Sequence, residues 1–76
     1  MKITVTKQNI KEGVRGNETS CPIAQALREM GFKNPVVGSE YITLDKEVRI
    51  DLPRKAEKFV TDFDNDKPVK PFSFVI

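Results

Sequence analysis

Histidine and tryptophan are absent from this 76-residue chain, and cysteine occurs once. Each absence removes a class of chemistry. Ser-His-Asp and Cys-His arrangements need an imidazole as proton shuttle, so neither can form. A structural zinc site takes four ligands, usually thiolates and imidazoles, and only Cys21 could serve. Haem and iron–sulfur ligation fail for the same want of ligands. A lone Cys excludes an intramolecular disulfide. It fits a reducing compartment, with an intermolecular disulfide through Cys21 as the alternative. Neither G-x-G-x-x-G nor G-x-x-x-x-G-K-[ST] occurs, so no phosphate-cradling loop of those kinds is present. The expectation is a protein with no catalytic residues, no cofactor and no metal.

Long apolar runs are missing too. The longest is Phe74-Val75-Ile76, far short of the ~20 residues of a membrane helix. The start, Met1-Lys2-Ile3-Thr4-Val5-Thr6, lacks the apolar stretch of a signal peptide. No membrane association and a cytoplasmic location are expected. Charge of one sign is also scarce. Thirteen basic against eleven acidic side chains leave a net +2, which excludes a polyacidic nucleic-acid mimic and a strongly cationic binder.

What remains is 38% hydrophobic residues, enough for one core in a single domain over 1–76. A chain of this length buries only about 60–65% of the surface its unfolded form exposes. Ile3 and Val5 alternate with Lys2, Thr4 and Thr6, as in a half-buried strand. Thr6 offers an N-cap for a short helix over 7–12, with Ile10 as its apolar anchor and Gly13 at its end. Residues 13–20 read as a loop. Pro22 then opens a helix over about 22–30, since Pro is favoured at the first helical position. Ile23, Leu27 and Met30 form its apolar stripe, Gly31 stops it, and Phe32 is placed to fold back on its last turn.

Val36-Val37 is a short strand before the Gly38-Ser39 turn. Tyr41–Leu44 and Val48–Leu52 alternate and are joined by Asp45-Lys46-Glu47, the pattern of a β-hairpin. Ile42, Leu44, Val48, Ile50 and Leu52 are expected on its buried face. Pro53 marks a second long helix, in which Ala56, Phe59, Val60 and Phe63 fall at i, i+3, i+4 and i+7. Phe72, Phe74 and Ile76 alternate in a last strand, which Pro68 and Pro71 place near a sheet edge. The fold class expected is α+β: a small, mostly antiparallel sheet of 3–5 strands with two helices packed on one face.

Several groups invite a functional reading. Cys21 stands at a helix start, where the macrodipole favours a thiolate; with no His as base it reads better as a small packing residue. Asp62, Asp64 and Asp66 have the spacing of the first calcium-loop ligands. The sixth position is Lys67 instead of Gly and the twelfth is Ser73 instead of Glu, so they read as a polar helix end whose mutual repulsion frays the last turn. Lys46, Arg49, Arg54, Lys55 and Lys58 are interleaved with acids and read as a solvated face. Lys2, Lys7, Lys11 and Arg15 have only Glu12 against them, which makes the amino-terminal segment the better basic surface. No aromatic is interleaved there to stack on bases. Tyr41 is the aromatic that alternation points toward solvent, or else a cross-strand packing partner. Lys2, Lys7, Lys11, Arg15, Cys21 and Tyr41 are the candidate interaction surface.

Three pieces together carry a resemblance. They are Lys2–Thr6 with Gly13-Val14-Arg15-Gly16, the Ser20-Cys21-Pro22-Ile23-Ala24 helix start, and Leu52-Pro53 through Phe59 and Phe63-Asp64 into Pro68-Val69-Lys70-Pro71-Phe72-Ser73-Phe74. In this order they resemble short proteins of tailed bacteriophages and prophages in which a Cys-Pro-Ile-Ala helix start recurs. The resemblance implies a phage or prophage accessory protein working inside a bacterial cell, and it assigns no functional residue. The expected function is a non-enzymatic module that binds a host or phage protein, as a monomer or homodimer, with the last strand free to pair with a partner. The alternative is weak nucleic-acid binding through the amino-terminal basic segment.

Overall fold

Alternation at the start of the chain becomes β1 (Lys2–Val5), whose Ile3 and Val5 are fully buried. The structure, a computed structural model, describes residues 1–45 and 48–76. The hairpin connection expected at Asp45-Lys46-Glu47 and the charge of Lys46 therefore lie partly outside the described residues. After β1 come α1 (Lys7–Glu12), α2 (Pro22–Glu29), β2 (Val36–Val37), β3 (Tyr41–Leu44), β4 (Val48–Asp51), α3 (Arg54–Asp64) and β5 (Phe72–Val75). The protein is a small α+β fold of antiparallel strands and helices, as the patterning predicts.

The strands divide between two sheets. β1 pairs with β5, joining the two ends of the chain, and β2-β3-β4 form a meander. Pairing of β1 with β5 puts Ile3 opposite Phe74 and Val5 opposite Phe72. It continues past the strands, because the Met1 ammonium donates to the Ile76 carbonyl and the Ile76 amide donates to the Met1 carbonyl, both at 2.9 Å. One buried cluster unites Ile3, Val5 and Phe74 of this sheet with Ile23 and Leu27 of α2, Ile42 and Leu44 of β3, and Ala56, Phe59 and Val60 of α3. Beside it runs an aromatic series. Phe59 stacks on Phe63 (6.2 Å between centroids) and on Phe72 (4.6 Å), and Phe72 stacks on Phe74 (5.6 Å).

Local chemistry explains the helix ends. At α1 the Thr6 hydroxyl accepts from the Asn9 amide (3.2 Å) and the Asn9 side chain accepts from the Thr6 amide (2.8 Å), a capping box with Asn in the place usual for Glu or Gln. At α2 the stop is Gly31, whose φ of +105° is accessible to Gly at little cost. Phe32 does fold back: its amide donates to the Leu27 carbonyl at 3.2 Å, and it packs half-buried against the core. Gly13 has another reason to be glycine. Its φ of −65° suits any residue, but a Cβ there would lie 2.5 Å from Cδ of Pro22. The missing side chain lets α1 end directly against the start of α2.

Two residues expected in the core are not there. Met30 is 46% exposed because α2 ends at Glu29 and the turn at Gly31 brings Phe32 back to cover the end of the stripe. Val48 is 52% exposed: it faces Leu44 next to the turn, on the outer strand of the meander. Pro53 occupies the N-cap of α3, one position before the first helical residue.

Candidate functional site

The loop over residues 13–21 meets the carboxyl end of α3 and gathers most of the groups with chemical potential. It is built as a closed turn. The Val14 amide donates to the Ser20 carbonyl (2.9 Å), and the Asn17 side chain accepts from both the amide (3.0 Å) and the hydroxyl (2.9 Å) of Thr19. Arg28 reaches back from α2 to donate to the Thr19 carbonyl. The Val37 amide donates to the Glu18 carbonyl at 2.8 Å, fastening the loop to the meander.

Each of the clustered acids has its own partner here. The Asp62 carboxylate accepts from Lys58 at 2.9 Å, one turn earlier on α3. Asp64 accepts from the Gly16 amide at 3.0 Å, and Asp66 forms an ion pair with Arg15. The repulsion expected to fray the helix end is thus answered by contacts that hold the loop. Among the described residues no group of three or more acidic or sulfur side chains is arranged to hold a metal ion.

Cys21 caps α2. Its sulfur accepts from the Ala24 amide at 3.5 Å, and the residue is 7% exposed. Burial pushes the thiol above the ordinary value of 9.0, against the lowering effect of the Ala24 and Ile23 amides. At neutral pH the group is therefore a thiol, while nucleophilic attack requires the thiolate. A cleft of about 220 Å³ beside it is lined by Val37, Val60 and Asp64, among others. The Asp64 carboxylate in that cleft already accepts the Gly16 amide. The chemistry supported here is capping and packing.

The rest of the candidate surface is dispersed. Lys7 and Lys11 lie one turn apart on α1, and Lys2 lies on β1; all are exposed. Arg15 is paired with Asp66. Tyr41, 37% exposed, lies under the Arg49 guanidinium at 3.8 Å from the ring centroid, the cross-strand packing role weighed for it. Asn9 was not singled out from the sequence. It is 2% exposed and donates to the Glu29 carboxylate at 2.8 Å, tying α1 to α2. The Thr-x-x-Asn spacing was its signal. The contacts of Asp64 and Asp66 to the loop span 48 and 51 residues, and no sequence spacing announces them.

No protein-family model, no curated protein and no solved structure matches this chain. No helix among the described residues is long and apolar enough to cross a membrane.

Proposed function

We infer that this chain is an accessory protein of phage or prophage origin that acts in the bacterial cytoplasm by binding another protein, without catalysing a reaction. The observation that carries this reading is the engagement of the groups best suited to chemistry. The Cys21 sulfur caps a helix, and the carboxylates of Asp62, Asp64 and Asp66 each hold a partner. What the fold leaves free is surface. β1 and β5 form a sheet of two strands, so each has an outer edge, and such edges add strands from a partner or a second copy. Affinity capture from bacterial lysate, repeated at low salt, tests the reading. Reproducible enrichment of one protein is expected, and no enrichment under either condition overturns it.

Nucleic-acid binding is the second reading, favoured by the exposed lysines at positions 2, 7 and 11. None of them forms an ion pair with a described residue. The ion pair of Arg15 with Asp66 weakens it. Titration with duplex and single-stranded DNA at two salt concentrations decides: a phosphate binder loses affinity steeply as salt rises, and absence of binding at low salt ends this reading.

A further inference from the structure

We propose that the shallow groove between α3 and the segment entering β5 binds an acidic peptide that lays one large apolar side chain on it. This rests on the protein-binding reading above and names its site and the chemistry of its partner. The groove is a shallow depression of about 340 Å³, open to solvent along its length. Phe59, Val69 and Phe72 line its apolar part, and Lys55, Lys58 and Lys70 stand around them. Val69 and Phe72 are half-buried, so this apolar surface reaches solvent.

The charge around the groove is one-sided. Its single acid, Asp62, is taken by Lys58 at 2.9 Å. Among the described residues Lys55 and Lys70 have no acidic partner. An apolar patch with unpaired ammonium groups at its margin is complementary to carboxylates flanking a hydrophobic side chain. The aromatic rings argue against a nucleic-acid occupant. Phe59 is 7% exposed and stacks on Phe63 and Phe72, and Phe72 also stacks on Phe74, so these rings pack on one another instead of standing out as platforms for bases. Pro68 and Pro71 fix φ in the wall that leads to β5. A wall held in shape before binding lowers the ordering cost of association.

The test uses the full chain labelled with nitrogen-15 and a short probe peptide of aspartates and glutamates around one central phenylalanine. Saturable amide shifts are expected along residues 55–62 and 69–72. Affinity should fall about tenfold when the central phenylalanine is replaced by serine, and about tenfold in the double variant Lys55→Glu with Lys70→Glu. Circular dichroism checks that this variant is folded, and the milder Lys55→Ala with Lys70→Ala pair replaces it if it is not. Shifts confined to other residues, absence of saturation, or unaltered affinity in the folded variants overturn the proposal. So does preferential binding of duplex DNA at these residues, or occupation of the groove by a second copy, seen as concentration-dependent shifts without peptide. Capture with the double variant separates the two claims. If the peptide fails and capture persists, the groove is wrong and the protein-binding reading stands; if capture fails for the parent chain, the broader reading falls as well.

Discussion

The two sheets of this protein reach their burial by different routes. In the β1–β5 sheet, Ile3 and Val5 are fully buried and Phe74 is 1% exposed, although Lys2 pairs with Val75 across almost the whole chain. In the β2-β3-β4 meander the pairs are local, such as Ile42 with Ile50, and burial is deepest in the middle strand. Ile42 and Leu44 are buried there, while Ile50 is half-buried and Val48 exposed on the outer strand. Pairing between distant segments carries a larger loop-closure cost, so the meander can form early while the terminal sheet must draw on interactions of the assembled core. The difference teaches that remote pairing in a domain this small reaches, at Ile3 and Val5, the same full burial that local pairing reaches at Ile42.

That contrast can be broken by mutation. The largest effect is expected from Phe74→Ala, which removes a buried ring that packs opposite Ile3 and stacks on Phe72. A loss of about 3–5 kcal/mol in urea unfolding follows from core truncations of this size. Val48→Ala in the meander should stay within about 0.5 kcal/mol, as for other exposed positions. Equal losses from the two would remove the distinction.

Gly13→Ala should come next, at about 1–3 kcal/mol by calorimetry, because the new methyl must displace the Pro22 ring or separate α1 from α2. A neutral result would show that this junction yields easily.

Cys21 sharpens the comparison where α2 starts beside Val37 of the meander and Val60 of α3. Its folded-state pKa is raised, chiefly by burial. Its contribution to stability is therefore complete below the ordinary value of 9.0 and is lost as pH rises through the higher folded-state value. Thermal midpoints measured between about pH 8 and pH 10.5 should fall in the parent chain, and fall less in Cys21→Ser. A small effect, comparable with that of Val48→Ala, is expected from Arg49→Ala in the meander. Loss of its exposed contact with the Tyr41 ring costs about 0.5 kcal/mol, measurable by the urea midpoint.

Periodicity made the elements legible because each repeats on its own length scale. Alternation marked β1, β3, β4 and β5, while spacings of three and four marked α2 and α3. Exposure at element ends was less legible. Met30 and Val48 follow the apolar period, yet one lies where the helix has ended and the other at the turn end of an outer strand. The division into two sheets was hidden, because alternation in β1 and β5 does not say which strand each will pair with. Of the candidate surface, the capping role of Cys21 and the packed state of Tyr41 were within reach of local rules. The capture of Arg15 by Asp66 was not, since only the folded chain brings the two together.

The reciprocal hydrogen bonds between Met1 and Ile76 give the backbone a further property. In topological terms the chain is a ring open at one point. Any segment attached before residue 1 or after residue 76 would leave from the same spot on the surface. A short linker across that opening would join neighbouring atoms with little displacement of the folded state, while removing freedom from the unfolded one.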